Sequence, residues 1–130
     1  MRLSYDFTIP LATGEVTPHI ETIRLDTGTI TQTMLRFKAG CHNRVYVALF
    51  AGLVQIVPAH ETQALYGDDV IFTIPMNYEL THKPYELTFK GWSPDTRYNH
   101  TISVWIDLLE NDPGRKQSAI SNILHLLGGS

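Results

Sequence analysis

The stretch from Tyr85 to Leu109 constrains the fold more than any other, because two strands and the link between them can be read from residue types alone. Tyr85, Leu87, Phe89 and Gly91 alternate with Glu86, Thr88, Lys90 and Trp92, the pattern of a strand with one apolar face. Ile102, Val104, Ile106 and Leu108 alternate in the same way with Thr101, Ser103, Trp105 and Asp107. Pro94-Asp95 and Asn99 lie between the two arms and supply turn chemistry. Together they predict a β-hairpin. Pairing Trp92 with Thr101 sets Gly91 beside Ile102, Phe89 beside Val104, Leu87 beside Ile106 and Tyr85 beside Leu108. A slip of one residue would turn each apolar set into water.

Other segments extend the pattern. Leu3, Tyr5, Phe7 and Ile9 alternate with polar residues up to Pro10, which cannot donate to a ladder. Ile20 to Leu25 sets Glu21, Ile23 and Leu25 on one face and Ile20, Thr22 and Arg24 on the other. Ile30 to Phe37 follows with Thr31, Thr33, Leu35 and Phe37 on one side. Val45 to Phe50 is apolar on both faces, which predicts a central strand covered on both sides or one that buries a face against a partner. Gly52 then separates it from Leu53 to Val57, and a tight hairpin is preferred there over one bulged strand. Pro58 to Asp69 reads as a polar loop, Val70 to Ile74 as a strand ended by Pro75, and Met76 to Pro84 as a loop.

Past the Glu110 to Gly114 turn signal the period changes. Ile120, Ile123, Leu124 and Leu127 fall at i, i+3, i+4 and i+7, the stripe of an amphipathic helix capped by Ser118 and stopped at Gly128-Gly129. The expected fold is therefore all-β: an antiparallel sandwich or flattened barrel, jelly-roll or immunoglobulin-like, of about eight strands with one short C-terminal helix. Residues 1–110 form the β-sandwich domain, and residues 111–130 form a turn and a helix or arm.

Composition narrows the class. A chain of 130 residues, 43% hydrophobic, holds one ordinary core. A net charge of −3 argues against a phosphate-binding surface and so against nucleic acid. Cys41 is the only cysteine, which excludes an internal disulfide. The N-terminus lacks a signal-peptide pattern and no apolar run is long enough to span a bilayer, so the chain reads as soluble and cytosolic, with no membrane partner.

No reactive constellation emerges. His19, His42, His60, His82, His100 and His125 are isolated, without metal-ligand spacing. Cys41 and His42 are neighbours, which in a strand point to opposite faces. Asp68-Asp69, with Glu61 nearby, reads as turn chemistry before calcium binding. No catalytic residue, metal or cofactor is assigned.

Trp92 and Trp105 occupy the polar side of their arms and need cover. The C-terminal helix, another subunit or a ligand such as a sugar ring would each serve. In the hairpin register Trp105 faces Thr88 and lies diagonal to Lys90, within reach of a cation–π contact.

Three segments carry a family resemblance: GTITQTMLRFKAGCHNRVYVALF, GDDVIFTIPMNYEL and PYELTFKGWSPDTRYNHTISVWIDLL. From Gly28 to Leu109 they resemble the small β-sandwich virion structural proteins of tailed bacteriophages. The resemblance implies a non-enzymatic capsid decoration or cement protein, located in the virion after synthesis in the host cytoplasm, that assembles with itself or with capsid protein. Interface candidates are Tyr46, Phe50, Trp92, Trp105, Ile120, Ile123, Leu124 and Leu127. The alternative is a carbohydrate- or ligand-binding module with Trp92, Tyr98 and Trp105 as stacking platforms and Asp95 and Asn99 orienting the ligand.

Overall fold

A computed structural model describes residues 1–60 and 63–110. Its strands are β1 (Arg2–Ile9), β2 (His19–Arg24), β3 (Gly28–Phe37), β4 (Tyr46–Ala51), β5 (Val54–Val57), β6 (Leu65–Tyr66), β7 (Val70–Leu80), β8 (Glu86–Trp92) and β9 (His100–Glu110). They form two antiparallel sheets. The first runs β1-β9-β3-β7, and the second runs β2-β8-β4-β5 with β6 also paired to β4. The expectation for Ile120 to Leu127 lies outside the described residues, as does Glu61.

The two arms of the Tyr85 to Leu109 stretch are both strands, but they do not pair with each other. β8 lies between β2 and β4, whereas β9 lies between β1 and β3. The Ser93–Asn99 link therefore arches from one sheet to the other. The alternation does give the inward faces: Leu87, Phe89, Ile102, Val104 and Ile106 are fully buried. They meet across the core, where the expected register had set them side by side. Alternation dictates which side chains point inward and says nothing of which strand lies alongside. In the observed register Ile102 is flanked by Phe7 and Phe37, and Val104 by Tyr5 and Leu35.

The inward residues of both sheets build one apolar cluster containing Ile9, Ile23, Leu35, Phe37, Val47, Leu49, Leu87 and Phe89. Rings of the two sheets touch directly, with Phe7 and Phe89 centroids 4.6 Å apart. Gly91 faces Ile9 so closely that an added Cβ would lie 2.4 Å from Ile9 Cδ1. Its lack of a side chain is what lets β1 pack over β8.

Two further expectations change. β3 bulges between Ile30 and Gln32, so Ile30 and Thr33 both point inward and Thr31 is exposed. β7 does not end at Pro75 but continues to Leu80. Pro75 is tolerated because, among the described strands, β7 is an edge, and its pairing with β3 shifts at that point. The strand β4 is internal to its sheet, as its two apolar faces require. It turns into β5 through Gly52 and Leu53, with Ala51 opposite Val54 and Gly52 at φ 61°, as a two-residue hairpin demands.

Candidate functional site

The outer face of the second sheet carries a row of aromatic rings. Adjacent positions on β8, β4 and β6 bring Trp92 beside Tyr46 and Tyr46 beside Tyr66. Ring centroids of Tyr46 and Trp92 are 6.0 Å apart with planes within 16°, and those of Tyr46 and Tyr66 are 5.7 Å apart. Alternation explains the row. Val45, Val47 and Leu49 turn into the core, which sends Tyr46 outward; Gly91 and Phe89 do the same for Trp92. Glu15, Gln63, Ala64 and Pro94 complete an open groove of about 490 Å³ around the rings.

Hydrogen bonds hold the groove's rim. Ser93 donates its N–H to Thr13 O at 2.8 Å and its hydroxyl to Pro10 O at 3.1 Å. Asn99 Oδ1 accepts the Leu11 N–H at 2.9 Å, and Thr96 Oγ1 accepts that of Ala12. These contacts staple the Ser93–Asn99 arch to the β1–β2 connection, which bears Glu15. Asn99 Oδ1 is thus taken by a structural bond.

The expected site residues do not form one surface. Tyr46 and Trp92 come together. Phe50 sits on the same sheet under Lys90, whose Nζ lies 4.4 Å from the ring centroid. Trp105 is on the opposite sheet, paired with Ser4 and Met34, so the expected Lys90 contact goes to Phe50 in its place. Tyr98 is 75% exposed and faces a different pocket, next to Arg97 and His100. Ile120, Ile123, Leu124 and Leu127 lie outside the described residues.

Tyr66 and Gln63 were missed because they fall in a segment that reads as polar loop. The only signal there was the Leu65-Tyr66 pair before Gly67. Asp68 lies in the expected bend, with Asp69 left-handed at φ 50°, but its side chain reaches beyond that bend. Its Oδ1 accepts the N–H groups of Gly40 and His42, each at 2.9 Å, on the β3–β4 loop. The His42 N–H bond chiefly, with that of Gly40, holds the Asp68 carboxyl below its ordinary value. The loop needs such a tie, since His42 and Asn43 are both left-handed, with φ of 50° and 57°. Cys41 beside them is 1% exposed, with Sγ 3.9 Å from His100 Nδ1 rather than near His42. Burial pushes its thiol up, the opposite of an activated nucleophile.

Among the described residues no group of three or more His, Cys, Asp or Glu side chains could hold a metal ion, and no helix is long and apolar enough to cross a membrane.

No family model matches the chain, and no curated protein does. Among the solved structures that match is FlhE, at 12% identity and a TM-score of 0.38, over 82% of this chain and 96% of that one. A superposition this loose assigns no role to the present chain. The expectation of a phage capsid decoration protein resident in the virion is supported by none of these comparisons, and the phage and capsid assignments are withdrawn.

Proposed function

We propose that this chain is a non-enzymatic glycan-binding module on a jelly-roll sandwich, with Trp92, Tyr46 and Tyr66 as the surface on which sugar rings stack. The order β1-β9-β3-β7 opposite β2-β8-β4-β5 supports the jelly-roll reading, an architecture that includes lectin domains. Because a fold hosts many functions, the weight falls on the site.

The observation that carries the proposal is the aromatic row itself, set in an open groove rather than in the core. Tyr66 is 54% exposed. Aromatic rings offer broad apolar faces to the C–H side of a sugar, while phenol, carboxylate and amide groups bond its hydroxyls. Glu15 and Gln63 stand where such bonds are needed. Glycoside hydrolysis calls for a pair of carboxyl groups, and Glu15 alone supplies one among the described residues lining this groove.

The test is fluorescence titration with a panel of oligosaccharides in a Trp105→Phe background, where Trp92 is the sole tryptophan reporter. Saturable quenching by one sugar class is expected. Calorimetry should then show Trp92→Ala weakening binding at least about tenfold, the effect of deleting an anchoring aromatic. Absence of saturation with every sugar, or unchanged affinity in Trp92→Ala, would overturn the reading.

A further inference from the structure

Resting on the glycan-binding reading above, we infer that the ligand is an acidic glycan, whose carboxylate or other anionic group is held by Arg44 and Arg97 in a pocket lined by sequence neighbours of the groove residues. That pocket, of about 200 Å³, is lined by residues of the β3–β4 loop and the Ser93–Asn99 arch, including His42, Arg44, Asp95, Arg97 and His100. Neither Arg44 nor Arg97 has an ion-pair partner among the described residues. Asp95 offsets one guanidinium charge, and the Asp68 carboxylate behind the loop is already engaged by the Gly40 and His42 N–H groups. A net cationic pocket therefore stands on a protein whose net charge is −3.

The two cavities have no lining residue in common, but they are lined by near neighbours in sequence. Pro94 lines the groove and Asp95, the next residue, lines the pocket; Tyr46 lines the groove and Arg44 lines the pocket. Arg44 is exposed and Tyr46 half-buried on either side of the buried Val45. Two residues along the chain span at most roughly 7 Å, short enough for one oligosaccharide to touch both. Guanidinium groups bind carboxylate and phosphate in forked, charge-assisted pairs. Glu15, at the groove and not the pocket, repels an anion there, and so sets the direction in which an acidic chain lies.

The experiment compares matched trisaccharides of galacturonate and galactose, glucuronate and glucose, and mannuronate and mannose by calorimetry on the full chain at low and high salt. At least one uronate is expected to bind roughly tenfold or more tightly than its neutral partner, with the preference lost in Arg44→Gln and Arg97→Gln and in high salt. Glu15→Gln should strengthen uronate binding, and circular dichroism should show each variant folded. Equal binding of neutral and acidic sugars that is lost in Trp92→Ala but indifferent to Arg97→Gln would overturn the acidic preference and leave the groove reading intact. Uronate binding lost in Arg97→Gln but unchanged in Trp92→Ala would overturn the groove reading and with it this inference. Binding of none of the sugars would overturn both.

Discussion

Gly91→Ala separates the observed sandwich from the hairpin that alternation suggested, and does so by sign. The new methyl would sit 2.4 Å from Ile9 Cδ1, 2.8 Å from Ile9 Cγ1 and 3.1 Å from Phe89 Cε1. Ile9 and Phe89 are both fully buried, so neither can swing into solvent to make room. Overpacking of this kind costs about 1–3 kcal/mol, offset by about 0.5–1 kcal/mol from replacing a strand glycine. A net loss of about 1.2 kcal/mol lowers the urea midpoint by about 0.8 M at a slope of about 1.5 kcal/mol per M. Were β8 paired with β9, Gly91 would lie beside Ile102 in one sheet, and alanine would stabilise by about 0.5–1 kcal/mol. Adding Ile9→Val removes the atom at 2.4 Å. By itself that change costs about 0.5–1.5 kcal/mol; in the Gly91→Ala background it should cost less, with a coupling of at least about 0.5 kcal/mol. A raised midpoint for Gly91→Ala, or strict additivity in the double variant, would refute the packing of β1 on β8.

Three other outcomes are expected. Because the Asp68 carboxyl is held below its ordinary value by bonds to Gly40 and His42, the tie is present above the ordinary carboxylate range and is lost as pH falls through the depressed value. The Gly40 and His42 amide resonances should shift together with a midpoint below that of a free aspartate, and Asp68→Asn should abolish the transition. Cys41, buried with a raised thiol, should react with a thiol reagent only as fast as the protein opens, so labelling should accelerate sharply in urea. Leu53, fully exposed at the tip of the β4–β5 hairpin, should accept aspartate within about 0.5 kcal/mol by denaturant titration.

How much of this was legible depends on what each residue encodes. The inward sets of β1, β2, β8 and β9 follow from their period of two, and Ile23, Leu87, Val104 and Ile106 lie in the core accordingly. Partner choice does not follow, because the alternation of β8 is satisfied equally by a neighbour in its own sheet and by a facing strand across the core. Thr31 and Thr33 show a second limit. Both are compatible with either face, so the bulge that exposes one and buries the other leaves no mark on residue type. Pro75 reads as a terminator, and only its place at an edge makes it compatible with a long strand. The groove was half visible: Trp92 and Tyr46 could be seen to point outward, while Tyr66 reaches them only because a two-residue strand adds to β4.

The strand order has a consequence for how the chain reaches its native state. Of the described pairings, only β4 with β5 joins strands that are neighbours in sequence through a tight turn. The Met1 ammonium bonds Leu108 O across 107 positions, and β1 has β9 as its partner. Such distant closure places refolding in the millisecond-to-second range typical of non-local β topologies. During synthesis, at about 5–20 residues per second, β1 waits roughly 5–20 s for β9 to be made. Throughout that interval the backbone of a strand with an apolar face is open to any other extended chain, which makes the interval before β9 emerges, rather than the folded state, the time at which aggregation threatens this protein.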